Sequence, residues 1–337
     1  MLKKIAILSL ISFTLFSSFS CRKAEIAPEK ESENKPINNI PEEDPLPKEV
    51  QDNNQPQANK FIELNILSYN VWGVPKIAGV YNVTKDQDER FGYIGDAING
   101  FDIVNLQETF GDNVNLITDK ASYLTKERLD NSSFLAYNAG LTTLSKYSIV
   151  KKDYIKFSEC EGADCYSNKG VFFVRFNVPN FGEIDVYNTH YQASAKNENI
   201  RITDNREFEM LVKRNDVGNP TIMTGDFNFD NIDSTDSSSK SLLDFKKRFN
   251  PIDTYRLKNK SDNGFTSDNT NPYNSKKEKS KRLDYIFLLP ENRGINNQKL
   301  KYSFEVLESK IVNNTPVNGK FMSDHFGLNT KLRINVF

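Results

Sequence analysis

Residues 183–190 read EIDVYNTH, and this stretch is the first indication of the fold. Polar and apolar residues alternate from Glu183 to Asn188, which is typical of a β-strand with one buried face. The strand pattern runs directly into His190, one of only two histidines in the chain. A lone histidine at a strand end is most often a core-edge residue whose ring is satisfied by a backbone carbonyl. The ends of the other strand-like runs indicate a chemical role instead.

Five further strand-like runs also carry polar residues suited to metal or phosphate chemistry at one end. Two segments among them have helical spacing, DQDERFGYIGDAI (86–98) and NREFEMLVKR (205–214). Strands that alternate with helices predict a layered α/β architecture. The runs and their polar residues are IELNILSYN with Asn70, FDIVNLQET with Gln107 and Glu108, PTIMTGDFN with Asp226 and Asn228, RLDYIFLL with Asp284, and SDHFGLNTKL with Asp324 and His325.

These polar residues are expected to gather at one sheet edge. Taken singly, Asp226 and Asn228 fit a turn equally well. Together the carboxylates supply the hard oxygen ligands that Mg2+ takes, completed by water and a substrate phosphate, and Glu108 is the expected direct ligand. Phosphoryl chemistry at neutral pH also requires a base for the attacking water. Asp284 and His325 would form an oriented base if their strands are neighbours.

The ordered motifs of the chain resemble those of a known superfamily. The set SYN, QET, NTH, GDFN, RLDYIF and SDH, spread over residues 61–337, resembles the endonuclease/exonuclease/phosphatase superfamily, the DNase I-like fold. The resemblance implies an α/β, four-layer sandwich of two packed mixed β-sheets flanked by helices, with the active site at one sheet edge. Finer motifs resemble neutral and bacterial sphingomyelinases, namely NVWGVP (70–75), SNKG (167–170), THYQA (189–193) and NTNPYN (269–274).

The resemblance implies a phospholipase C-type enzyme that cleaves sphingomyelin into ceramide and phosphocholine. The expected cofactor is Mg2+, with Mn2+ or Co2+ as substitutes. Carried over to this sequence, Glu108 would bind the metal directly, and Asn70 would contact the metal's water shell or a phosphate oxygen. Asp324 would lie beside the metal site. Asp226 and Asn228 would position the attacking water and the phosphate.

The same resemblance gives the two histidines separate roles. His325 would be the general base, held by Asp284. His190 would stabilise the transition state and assist the departing alkoxide. Lys169 is a candidate contact to phosphate or to the lipid interface, although the plainer expectation for it is a surface lysine.

The first 60 residues predict export and a tether. Residues 1–20 combine basic residues, a short apolar run and small residues before Cys21, which is the pattern of a signal peptide. An ordinary secretory cleavage and lipidation of Cys21 both remain open, and the following segment favours lipidation. Residues 22–60 hold six of the 13 prolines and no aromatic residue, which predicts a disordered spacer. We therefore expect a secreted or outer-surface bacterial protein whose catalytic domain is residues 61–337.

Charge and cysteine content narrow the function classes. The 44 Lys and Arg residues nearly balance the 45 Asp and Glu residues, so there is no global basic field for binding nucleic acid. Cys160 and Cys165 have no nearby His or further Cys to complete a zinc site and predict a local disulfide. A monomer acting on membrane lipid is expected. A secreted DNase and a catalytically silent surface protein that binds lipid are the alternatives.

Two segments bear on membrane contact. The bacterial sphingomyelinases that lyse cells carry a long aromatic hairpin just before the final Ser-Asp-His. The corresponding segment here is NNTPVNGKFMSDH (313–325), whose expected tip, residues 313–315, has no aromatic residue. This departure predicts weak attack on packed membranes. The alternative contact is WGVPKIAGV (72–80), which forms either an exposed apolar loop or core packing after the first strand.

Overall fold

The structure is a computed structural model that describes residues 58–75, 86–134, 136–290 and 301–337. The predicted signal peptide, Cys21 and most of the predicted spacer lie outside the described residues, as do residues 76–80 of the second membrane-contact segment. None of the described helices is long and apolar enough to cross a membrane.

Two six-stranded sheets form the framework of the described residues. The first sheet has the strand order β11-β12-β1-β2-β4-β3 and the second has the order β5-β6-β7-β8-β10-β9. The strands are β1 (Lys60–Asn70), β2 (Ile103–Gln107), β3 (Thr125–Arg128), β4 (Thr142–Ser145), β5 (Ser148–Lys156), β6 (Gly170–Val178), β7 (Gly182–His190), β8 (Thr221–Asn231), β9 (Ile252–Asp253), β10 (Arg282–Leu289), β11 (Tyr302–Val312) and β12 (Gly327–Val336).

Helices flank the two sheets. They are α1 (Gln87–Ala97), α2 (Asn115–Thr118), α3 (Glu198–Asn215), α4 (Lys240–Phe249) and α5 (Thr254–Lys258). Phe91 and Ile94 of α1 pack on the first sheet, and Phe208 of α3 and Phe245 of α4 pack on the second. A further apolar cluster fills the space between the sheets. Both sheets contain parallel and antiparallel pairs, so the predicted four-layer sandwich of two mixed sheets is confirmed.

Strand ends differ from expectation in two places. β8 continues through Asn228 to Asn231, so Asn228 lies within the strand instead of at its end. β12 begins only at Gly327, which leaves Asp324 and His325 in the segment before it. These two residues therefore lie outside the strand ladder, although His325 forms an isolated backbone bridge with Ser267.

The segment that connects β11 to β12 turns at a different place from the one predicted. Val317 and Lys320 pair across a two-residue turn at Asn318-Gly319, where both residues have positive φ. Asn-Gly is the strongest short signal for such a turn, and it outweighs the polar run at residues 313–315. Lys320 forms ion pairs with acidic residues at the start of α1, and Asn318 donates to Tyr93. The segment therefore lies against α1.

Candidate active site

Strand register places the polar residues of the second sheet side by side. His190 of β7 is paired with Asp226 of the parallel strand β8, and Asp226 is paired with Asp284 of the antiparallel strand β10. The close approach of β7 and β8 requires glycine at residue 225, where φ is 149°. A Cβ atom there would lie 2.2 Å from the carbonyl oxygen of Thr189. The GDFN motif thus fixes Asp226 beside His190.

Residues from both sheets meet at the site. Asn70 closes β1, and Glu108 directly follows β2, which runs parallel to β1 in the first sheet. The Asn70 amide nitrogen donates to Glu108 Oε1 at 3.0 Å and to Asp226 Oδ2 at 2.9 Å. The expectation of a single sheet edge is therefore wrong. Because the two sheets pack face to face, the ends of their parallel pairs converge on one location.

His325 and Asp284 form a buried pair. His325 Nδ1 lies 2.8 Å from Asp284 Oδ2, and His325 Nε2 lies 3.9 Å from Asp226 Oδ2. Burial lowers the pKa of His325, but the carboxylates of Asp284 and Asp226 outweigh burial and hold that pKa well above its usual value. Thr266 Oγ1 accepts from the backbone N–H of Asp284, while the Thr266 carbonyl accepts from Phe326 N–H, next to His325.

His190 has the opposite surroundings. Its Nε2 lies 2.9 Å from Lys169 Nζ and 3.5 Å from Asp226 Oδ2. Burial and the neighbouring Lys169 cation hold the pKa of His190 well below its usual value. These surroundings favour the neutral ring. If Lys169 donates to Nε2, the proton of the neutral ring is on Nδ1, which has no hydrogen-bond partner among the described residues.

Lys169 is part of the site, and the expectation of a surface lysine is wrong. Its side chain is only 8% exposed, since Nζ also donates to the Tyr191 carbonyl at 2.9 Å and pairs with Asp164 Oδ1 at 2.9 Å. Asp164 lies in the loop closed by the predicted disulfide, Cys160–Cys165, which is formed. The sequence signal for Lys169 was the SNKG motif, but burial could not be read from it.

Glu108 carries a carboxylate that the described residues satisfy only in part. Its backbone has φ 61°, a conformation uncommon for a residue with a side chain, and Gly73 packs directly against it. A Cβ at residue 73 would lie 2.1 Å from the Glu108 carbonyl oxygen. Glu108 Oε2 is buried with no hydrogen-bond partner among the described residues. Burial and the nearby Asp324 raise the pKa of Glu108 to about 7, and burial also raises that of Asp324.

A second group of possible metal ligands overlaps the histidine pair. One ligand atom each from Asp226, Asp284 and His325 lies within 4.8 Å of the others, so this group could hold a metal ion. His325 Nδ1 is hydrogen-bonded to Asp284 Oδ2, and Asp226 Oδ2 accepts from Asn70. Asp284 Oδ1, like Glu108 Oε2, is buried without a hydrogen-bond partner among the described residues.

Arg90 braces the site and was missed from the sequence, where it appeared only as one position on an amphipathic helix. Its guanidinium is fully buried and donates to the carbonyls of Val71, Trp72 and Met322. It also lies 4.6 Å from the Trp72 ring, which in turn contacts Tyr273 at 4.9 Å. Trp72 is thus part of the packing beside the site.

Several motif residues prove to be braces for the site. Gln107 donates to Asn188 Oδ1 at 2.8 Å, and Asn188 donates to the Leu106 and Thr142 carbonyls, which ties the two sheets together. Asn228 donates to the Tyr191 carbonyl at 3.1 Å. In the loop of the NTNPYN motif, side-chain amides donate to the carbonyls of Ser323 and Asp324; the donors are Asn271 and Asn274.

Comparison with known proteins gives a family match and two curated relatives. The sequence profile of the Endonuclease/Exonuclease/phosphatase family matches residues 67–325. A sphingomyelinase of Mycobacterium bovis is 27% identical over 178 residues, which are 49% of this chain and 34% of that protein. A putative neutral sphingomyelinase of Drosophila melanogaster is 28% identical over 298 residues, 81% of this chain and 61% of that protein. The matches therefore span about a third and about three fifths of these relatives.

A solved structure of Staphylococcus aureus beta toxin has the same fold. That structure is a double mutant with bound magnesium ions, and it matches with a TM-score of 0.60 at 20% sequence identity. The match covers 80% of this chain and 99% of that chain. The predicted DNase I-like fold is thereby confirmed.

Proposed function

Because the chain belongs to the endonuclease/exonuclease/phosphatase family, we propose that it is a Mg2+-dependent phosphodiesterase that hydrolyses sphingomyelin to ceramide and phosphocholine. The observation that carries the proposal is the arrangement around Asp226. A carboxylate-held histidine lies on one side of it, a lysine-bonded histidine on the other, and the Glu108 carboxylate is linked to it through Asn70. Similarity to curated sphingomyelinases supports the substrate class.

The acidic residues near Glu108 fit a divalent cation. Glu108 Oε2 is buried without a partner among the described residues, and the proximity of Asp324 makes the ionised form of both carboxylates costly. Two carboxylates with an amide oxygen nearby are a donor set that Mg2+ accepts. Glu108 would hold the ion, with Asn70 and Asp324 beside it. When bound, the ion would neutralise carboxylate charge and polarise a phosphoryl oxygen.

His325 is the proposed general base. In this role Nε2 takes a proton from the attacking water, while Asp284 holds Nδ1–H and stabilises the resulting imidazolium. Asp226, 3.9 Å from Nε2, is placed to orient that water. The raised pKa of His325 means that the ring is largely protonated while the carboxylates around it are uncompensated. Activity should therefore require partial neutralisation of this carboxylate cluster.

The His190 and Lys169 pair is the proposed leaving-group side. The departing alkoxide carries developing negative charge and needs a proton. Lys169 places a buried cation 2.9 Å from His190 Nε2, so the pair can stabilise this charge while water supplies the proton. Asn228 is proposed to help position the phosphate.

We further propose that residues 1–20 direct export, that Cys21 is lipidated, and that residues 22–60 tether the catalytic domain of residues 61–337 to the outer surface. If so, Cys21→Ser should release the protein from membranes or block its processing. Soluble protein that starts at Cys21 with a free amine would contradict lipidation.

Hydrolysis of a substrate panel with and without chelator tests the proposed function. Sphingomyelin in detergent micelles should be cleaved to phosphocholine with Mg2+, and EDTA should abolish the reaction. Glu108→Ala should lower kcat by at least about 10²-fold, the scale for removing one group of this kind. Glu305→Ala, an exposed surface carboxylate, is the matched control and should be unaffected. Cleavage of plasmid DNA alone would favour a DNase, and no cleavage of any substrate would favour a binding protein.

A further inference from the structure

Three exposed aromatic side chains lie on two adjacent loops. Phe134 is 85% exposed, Tyr166 66% and Tyr137 43%. We call these three residues the aromatic rim. Large aromatic side chains are ordinarily buried, and an exposed group of them commonly marks a surface that contacts another molecule.

The backbone beneath the aromatic rim is held in place by hydrogen bonds. Tyr137 N–H donates to the Tyr166 carbonyl at 2.8 Å, and Asn168 N–H donates to the Tyr137 carbonyl at 2.9 Å. The Asn131 and Asn168 side chains donate to each other's backbone carbonyls. The Cys160–Cys165 disulfide closes the second loop. The aromatic side chains are thus presented outward from a braced scaffold.

The same loops are directly connected to the candidate active site. Asn168, which bonds to the rim backbone, precedes Lys169, the partner of His190. At the other end of the first loop, the Gly140 carbonyl accepts from the N–H of Thr109, the residue after Glu108. A surface bound at the aromatic rim would therefore lie beside both the Lys169 and His190 pair and Glu108.

Charges around the aromatic rim indicate which surface it fits. Asp130, Glu159 and Glu161 are exposed on the flanking segments, and Lys196 pairs with Glu161 at 2.6 Å. Because Lys196 compensates Glu161, Asp130 and Glu159 carry the net negative charge here, which disfavours anionic lipid and nucleic acid. A phosphocholine layer presents quaternary ammonium groups outermost, and aromatic faces and carboxylates both attract such groups. Tyr and Phe side chains also partition into the membrane interface.

We propose that the aromatic rim docks the enzyme on the headgroup layer of a zwitterionic phosphocholine membrane. This inference rests on the proposed function, because it supplies the lipid surface from which the substrate would enter the site. It also accounts for surface contact without the connection between β11 and β12, whose two-residue turn lies against α1.

Vesicle binding compared with micellar turnover tests the docking surface. Phe134→Ser/Tyr166→Ser should lower partitioning onto phosphatidylcholine vesicles about tenfold or more, the scale set by withdrawing aromatic surface from water. Leu124→Ser/Met210→Ser, which removes two exposed apolar side chains elsewhere, should bind like the wild type. Hydrolysis of sphingomyelin in detergent micelles should be unchanged in both variants. If the double variant folds poorly, Phe134→Ser alone should still weaken binding.

The outcomes separate the two proposals. Unchanged vesicle binding by a folded Phe134→Ser protein would overturn the docking surface whatever the activity. Failure to hydrolyse micellar sphingomyelin would overturn the proposed function while the binding measurement still stands. Rim-dependent binding that is as strong on phosphatidylserine vesicles as on phosphatidylcholine vesicles would contradict the zwitterionic assignment.

Discussion

Both histidines of the candidate site are buried, yet their surroundings shift their pKa values in opposite directions. His325 is 8% exposed and His190 3%, so solvent access does not distinguish them. The Asp226 carboxylate lies near both rings, 3.9 Å from His325 Nε2 and 3.5 Å from His190 Nε2. The distinguishing neighbours are the Asp284 carboxylate 2.8 Å from His325 and the Lys169 ammonium 2.9 Å from His190. Burial lowers the pKa of both rings, but the carboxylates of Asp284 and Asp226 outweigh it at His325, whereas the Lys169 ammonium adds to it at His190.

Removing either histidine should cause the largest loss of activity. His325→Ala and His190→Ala should each lower kcat on the order of 10²–10⁴-fold, the range for one acid-base or charge-stabilising group. Because both rings act on one step, the double variant should lose far less than the product of the two losses. Melting temperatures measured in parallel provide the control. A folded His190→Ala protein with full activity would make His190 a structural residue.

Lys169→Met should separate the contribution of the His190 surroundings from that of the His325 surroundings. It removes the cation beside His190 while leaving His325 and Asp284 untouched, so kcat should fall by about 10–10²-fold, the lower part of the range for such groups. The pKa of His190 should rise, since Lys169 holds it down. Lys152→Met, which breaks an exposed pair with Glu127, is the control. Unchanged activity in Lys169→Met would restrict this lysine to a structural role.

In metal-free protein, the two histidines should also make the free energy of unfolding change with pH in opposite directions. The folded pKa of His325 is raised, so its stabilising contribution is full below about pH 6.5, the unfolded value, and is lost as pH rises. The folded pKa of His190 is lowered, so its contribution is present above that value and is lost as pH falls. Each slope is at most about 1.4 kcal/mol per pH unit.

Unfolding curves of His325→Gln and His190→Gln relative to wild type measure these slopes. The free-energy difference between wild type and His325→Gln should still change above about pH 8. Glu108, with its pKa of about 7, has largely finished titrating there. The difference in free energy of unfolding between wild type and His190→Gln should change below about pH 6.5. If the free-energy differences of the two variants change with pH in the same direction, the two histidines do not have opposite charge preferences.

The sequence was sufficient for the layers and for the strand-end residues because both depend on local patterns. Strand periodicity and alternation with helices predicted a layered α/β architecture, and the resemblance of the ordered motifs supplied the two mixed sheets. The polar residues near the ends of the strand-like runs include ones that do meet, such as Asn70 and Asp226. Pairing His325 with Asp284 required knowing that β10 and the segment before β12 are neighbours, which periodicity does not give.

What the sequence could not provide depends on packing between distant segments. Lys169 looks like any polar loop residue, and its burial follows from contacts to Tyr191 and Asp164. Arg90 reads as one position of an amphipathic helix, yet its guanidinium holds two separate site segments. Gln107 was read as a strand-end residue suited to metal or phosphate chemistry, whereas packing of the sheets makes it a clamp.

The most direct test of the contrast is an NMR titration of the imidazole rings in metal-free protein without a histidine tag. The chain has two histidines, so each ring gives its own signal, assigned by His190→Gln. We predict that the His325 ring remains protonated well above pH 6.5 and the His190 ring remains neutral well below it, with its proton on Nδ1. Two rings that titrate together near pH 6.5, or in the reverse order, would contradict the assignment of opposite roles.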